Sequence, residues 1–128
     1  MKKLLLIAAL LVSANAMAMP PVKWNKIETT VNAEGESFTL YVLNKSRMVK
    51  GDEVTLMTLM SSNNIHGASM VYLRSFDCKR KLHKAIWYAT YLQPNMQGEI
   101  LTSGDLTGKY RSIKGLKSKR TFNYACAK

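Results

Sequence analysis

Carboxylates are scarce in this chain. Eight Asp and Glu stand against 19 Lys and Arg in 128 residues, a formal net charge of +11. Glu28, Glu34, Glu36, Asp52, Glu53, Asp77, Glu99 and Asp105 mostly fall in turns or at strand ends. A glycosidase requires two such groups a few ångströms apart in a cleft, and nothing in this pattern supplies them. Histidine is rarer still: His66 and His83 are the only two, neither has a nucleophile or carboxylate at triad spacing, and no nucleophile-elbow pattern occurs. We therefore expect no enzyme. Two cysteines and two histidines scattered along the chain do not make a zinc pattern, so no metal or other cofactor is expected. Met57 and Met60 face opposite ways in a strand and do not form a copper pair. Long apolar runs are also missing: after Val12 nothing approaches the roughly 20 residues that a membrane-spanning helix requires.

What is present begins with a leader. Lys2 and Lys3 are followed by an apolar run from Leu4 to Val12, and Ala16-Met17-Ala18 offers small residues where a signal peptidase reads. This three-part layout predicts a secretory signal peptide over residues 1–18 and a mature domain over residues 19–128. No cysteine stands directly after the leader, so no lipid anchor is expected at the new N-terminus. The expected location is the periplasm, the cell surface or the medium, with at most peripheral attachment to a membrane. Disulfides persist there, and Cys78 and Cys126 read as one intramolecular bridge. Two free thiols or an intermolecular bridge are the alternatives. The loop-entropy argument gives about 4 kcal/mol for such a closure.

The mature chain reads mainly as strands. Val22 to Ile27 alternates, with Val22, Trp24 and Ile27 toward the core. Residues 32–36 form a turn, Phe38 to Leu43 a second strand, and Ser46 to Val49 a short third one. Lys50-Gly51-Asp52-Glu53 marks a tight hairpin turn into Val54 to Met60. A polar loop over residues 61–67 leads to a strand from Ala68 to Asp77, where Met70, Tyr72, Phe76 and Cys78 share a face that Arg74 interrupts. Leu82 to Leu92 carries apolar residues on both parities, so either both faces are covered or a bulge shifts the register. Gln93 to Gly98 is a turn, Glu99 to Ser103 a strand, and Gly104 to Lys109 a loop. The period then changes. Ser118, Phe122, Ala125 and Cys126 fall on one side of a helix over roughly Leu116 to Ala125. The expected class is α+β: one antiparallel sheet of about six strands, with a C-terminal helix tied to it by the disulfide. No repeat, low-complexity tract or linker appears.

The order of these features is similar to one known family. An early Trp24 strand precedes Tyr41-Val42-Leu43-Asn44. A Gly-Asp hairpin opens a Val-Thr-Leu-Met strand. Ser69 to Asp77-Cys78-Lys79-Arg80 follows, and the chain closes on Tyr124-Ala125-Cys126. The whole mature chain resembles the surface-adhesin protein E family of Gram-negative bacteria. That resemblance implies an antiparallel sheet backed by a C-terminal helix, a Cys78–Cys126 bond, and a surface or periplasmic binding role toward host matrix or serum proteins. Here Leu116 stands where a small polar residue usually opens the helix, and Asn44 where an Asp is common.

The strongest local feature is basic. Lys79, Arg80, Lys81, His83 and Lys84 form one cluster; Lys114, Lys117, Lys119 and Arg120 form a second. If Cys78 and Cys126 are bonded, the expectation is one continuous patch on the sheet–helix seam that takes phosphate, sulfate or carboxylate groups. The expected function is an exported, non-enzymatic envelope protein that binds a protein or anionic polymer, without specific nucleic-acid recognition. A homodimer through a free strand edge is a further expectation. Two other readings stand beside this one. The first is a periplasmic inhibitor or stress-response protein that binds an enzyme through His66-Gly67 or Gln93 to Gly98. The second is a small-ligand carrier that uses the sheet concavity.

Overall fold

A computed structural model describes residues 23–116 and 119–127. The leader, Val22, Lys117 and Ser118 lie outside them. The strands run β1 (Asn25–Val31), β2 (Ser37–Lys50), β3 (Glu53–Ser62), β4 (Ser69–Asp77), β5 (Leu82–Tyr91), β6 (Ile100–Asp105) and the two-residue β7 (Arg111–Ser112), followed by helix α1 (Lys119–Cys126). They form one antiparallel sheet in the order β1-β2-β3-β4-β5-β6, and β7 pairs with the beginning of β5. Short turns allow each strand to pair with its predecessor, which is why the order in space follows the order in sequence. The sheet, the C-terminal helix and the disulfide between them are those expected from the sequence.

Local chemistry sets the turns. Lys50 pairs with Glu53 across Gly51-Asp52, and Gly51 takes φ +63° at the first central position, which a side chain disfavours. Asn32 closes the β1–β2 turn by accepting hydrogen bonds from the backbone N–H groups of Glu34 and Glu36 through its Oδ1.

Several boundaries differ from those expected. Ser46 to Val49 is not a separate strand but the far end of a 14-residue β2. Within it, residues 44–47 stand against Leu56 alone, because Leu43 pairs with Met57 and Met48 with Thr55. Ser46 maintains the bonding across this bulge: its hydroxyl donates to the Leu43 carbonyl at 2.6 Å and accepts the Met57 N–H at 2.8 Å. β5 carries the bulge that its mixed parity suggested. Leu73 faces Trp87 but Arg74 faces Ala85, which leaves Ile86 without a partner in β4. Gly104 and Asp105, read as loop, extend β6. The helix starts at Lys119 rather than Leu116; a 3-10 turn, Ile113–Gly115, precedes it, with Ser112 accepting the Lys114 N–H.

Each face of the sheet carries a buried cluster. On one, Val42, Val54, Leu56 and Phe76 bury against Phe122 and Ala125 of α1. The Phe76 and Phe122 rings meet edge to face at 6.1 Å. On the other, Leu43, Met57, Leu59, Val71, Leu73, Ala89 and Tyr91 bury together with Met96, from the 3-10 turn Pro94–Met96. Each fully buried side chain of this size contributes about 1.5–3 kcal/mol. An eight-residue helix is marginal alone, so packing and the Cys78–Cys126 bond hold it.

Candidate functional site

The first basic cluster occupies the β4–β5 turn. Asp77 shapes that turn: its carboxylate accepts the Arg80 backbone N–H at 2.9 Å and the Arg80 Nε–H at 2.7 Å. These bonds, with the Arg80 charge, hold the Asp77 carboxyl below the usual range. Arg80 is thus partly neutralised, while Lys79 and Lys81 point to solvent without an ion-pair partner among the described residues. Lys81 takes φ +55°, which turns the chain sharply into β5.

Backbone pairing joins a second basic segment to this turn. Leu82 pairs with Ser112 and His83 with Arg111, and the Ile113 N–H donates to the Lys81 carbonyl at 3.2 Å. Arg111 is therefore brought opposite His83, and Lys114 follows the residue that bonds to Lys81, so both join the β4–β5 turn that carries Lys79 and Lys81. Tyr110 anchors the junction. Its ring lies under the Lys84 ammonium at 4.5 Å, with the Arg80 guanidinium 6.0 Å away. Its hydroxyl meets Ser75 Oγ at 2.7 Å, and Ser75 donates to Glu53 at 2.9 Å. These hydroxyls hold the Glu53 carboxyl below its ordinary value.

The second predicted cluster divides. Lys114 joins the first cluster through β7. Lys119 and Arg120 sit in the opening turn of α1, the end remote from Cys126, and Arg120 bridges to Glu28 on β1 at 3.6 Å, toward the opposite edge of the sheet. Lys117 lies outside the described residues. The seam expected through the disulfide does not unite the clusters, because α1 reaches Cys78 with its C-terminal end while Lys119 and Arg120 lie at its N-terminal end. Arg111 and Tyr110 were missed. The alternation Lys109-Tyr110-Arg111 was the available signal, but two residues of strand are too short for a period-2 reading.

The loops expected to bind an enzyme behave differently from one another. Gln93 to Gly98 folds back on the sheet: Met96 is buried, and Ser61 and Ser69 hydroxyls accept the N–H groups of Asn95 and Met96 at 2.9 Å. Residues 63–67 instead project Ile65, 80% exposed. Among the described residues no group of three His, Cys, Asp or Glu side chains is arranged to hold a metal, and no helix is long and apolar enough to cross a membrane. No family model, no curated protein and no solved structure matches this chain.

Proposed function

We propose that this chain is an exported, non-enzymatic binding protein of the Gram-negative envelope, of the surface-adhesin E type, that docks through the β5–β7 corner on an anionic macromolecule. The observation that carries the reading is the pairing of β7 with β5. It joins the segment that carries Arg111 and Lys114 to the β4–β5 turn that carries Lys79 and Lys81. A rigid sheet corner with several exposed cations steers a polyanion and contributes charge-assisted hydrogen bonds at contact. The leader sequence and the chain's excess of basic residues support the same reading.

The experiment is salt elution from immobilised heparin and from immobilised lipopolysaccharide. The Lys79, Lys81, Arg111 and Lys114 to Ala quadruple variant should elute at clearly lower salt than the parent. A control with Lys23, Lys26, Lys45 and Lys50 changed to Ala loses equal charge from β1, the residues just before it and β2, and should elute later than the corner variant. Equal elution of the two would show that only net charge matters and would remove the corner from the proposal.

One observation favours a second reading, a loop-borne inhibitor of an envelope or host enzyme: the exposed Ile65 at the tip of residues 63–67. Lysozyme and protease activity should then fall at near-stoichiometric ratio, and Ile65→Asp should restore it. Full activity at a tenfold excess of the chain would end that reading.

A further inference from the structure

Helix α1 and the 3-10 turn before it cover only part of their face of the sheet. Beside the opening turn of α1 they leave a cavity of about 260 Å³. Leu40, Met60 and Leu116 give it an apolar wall, and Tyr72, Arg74 and His83 line another part. The basic corner lies on other residues.

Arg74 makes this cavity unusual. It is half-buried in the middle of β4, its guanidinium stacks on the Tyr72 ring at 4.6 Å, and no described carboxylate pairs with it. Arginine is seldom placed in a partly apolar site without an anion. The imidazole of His83 offers none, and its Nδ1 is buried with no hydrogen-bond partner among the described residues. Burial lowers Arg74 from its ordinary value, but arginine starts so high that it stays charged. Burial first, then the charges of Arg74 and Arg111, push His83 down, which leaves it neutral at neutral pH. The lining therefore presents one fixed positive fork beside apolar surface.

We propose that this cavity is a binding site for a small amphipathic carboxylate, a medium-length acyl chain whose head pairs with Arg74 and whose tail lies on Leu40, Met60 and Leu116. The volume of about 260 Å³ holds roughly nine water-sized groups at about 30 Å³ each, which matches an eight- to ten-carbon acid and is too small for a phospholipid. The planar guanidinium suits a carboxylate through two parallel hydrogen bonds. Tyr72 holds the fork in place before the ligand arrives, so little ordering remains to oppose binding.

The test is titration calorimetry of octanoate and of 1-octanol into the purified chain with its disulfide intact. Octanoate should bind saturably at one site, and 1-octanol at least tenfold more weakly. Arg74→Gln should weaken octanoate at least tenfold. Met60→Trp keeps the arginine but fills the cavity, and it should also remove octanoate binding, so the proposal stays testable if Arg74→Gln fails to fold. Absence of saturable octanoate binding to the parent, equal affinity for 1-octanol, or full octanoate affinity in either folded variant would each overturn the proposal. Heparin elution of both variants should match the parent, which separates this site from the basic corner.

Discussion

Arg47 caps the carboxyl end of α1 from across the sheet: its Nε donates to the Ala125 carbonyl at 3.0 Å and its terminal amino group to the Ala127 carbonyl at 2.6 Å. The last carbonyls of a helix have no partner within it, and a cation there also meets the negative end of the helix dipole. The β2 bulge makes this possible by presenting residues 44–47 to the helix. Asn44 also takes part, accepting the Tyr124 hydroxyl at 2.7 Å. We expect Arg47→Met, which keeps much of the apolar stem, to cost about 1 kcal/mol. That loss would lower the melting midpoint by roughly 4–8 °C for a domain of this size. A thermal melt followed by circular dichroism measures it; an unchanged midpoint would show that the cap contributes nothing.

The Cys78–Cys126 bond closes a loop with a sequence separation of 48. Chain-entropy reasoning assigns about 4 kcal/mol to that closure. The Cys78→Ser, Cys126→Ser double variant should therefore lose a comparable amount in urea unfolding. The loss should begin at α1, whose eight residues have little intrinsic helical stability. Amide exchange should report it: N–H groups of α1 should exchange much faster in the variant, while those of β3 and β4 keep more protection. Uniform loss of protection across sheet and helix would contradict a helix held mainly by the bridge.

Strand alternation, the Gly51-Asp52 hairpin and the change of period before Phe122 made the sheet and the helix legible in the sequence. The β2 bulge was not legible, because polar Asn44 and Lys45 read like a break between two strands, the second starting at Ser46. Nothing local reveals that Ser46 replaces a main-chain partner. The start of α1 was misplaced because nothing local separates Leu116, which follows a 3-10 turn, from the helical stretch that carries Phe122. The first basic cluster was readable as a run. Its union with Arg111 and Lys114 was not, since it depends on a two-residue strand pairing with β5 from nearly thirty residues further on. Arg74 looked like an interruption of a face. Its position beside a cavity depends on where α1 stops covering that face, a tertiary fact that alternation does not encode.

Glu53 gives a pH readout of the Tyr110 junction. Its carboxylate accepts the Ser75 hydroxyl at 2.9 Å, and Ser75 meets Tyr110 at 2.7 Å. The Ser75 and Tyr110 hydroxyls outweigh burial, and the pKa is lowered. A lowered folded value means that this group favours the folded state above about pH 4.3, the unperturbed glutamate value. The contribution is lost as pH falls through the lower folded value. Ser75→Ala should move the Glu53 titration back toward the ordinary value, and Tyr110→Phe should move it less, because Ser75 still donates. Carbon-detected NMR titration of the Glu53 carboxyl measures both. Identical midpoints in parent and Ser75→Ala would remove the hydroxyl as the cause.

The two loops at the Ser61 end of the sheet should separate cleanly by mutation. Met96 is 3% exposed and fills the face that α1 does not cover, with Leu59, Val71 and Tyr91 in the same cluster. Truncation to Ala leaves a cavity there, and buried Met→Ala changes cost about 2–5 kcal/mol. Ile65 is 80% exposed, so Ile65→Ala removes little buried surface and should stay within about 0.5 kcal/mol of the parent. Urea unfolding of the two variants measures the contrast. The outcome also bears on binding. A loop whose side chain supports the core is constrained by packing and has little freedom to reach into an enzyme. A loop that presents an isoleucine without structural need is free to serve a partner. Comparable destabilisation by the two changes would mean that residues 63–67 are as much a part of the fold as Met96, and Ile65 would lose its standing as a contact residue.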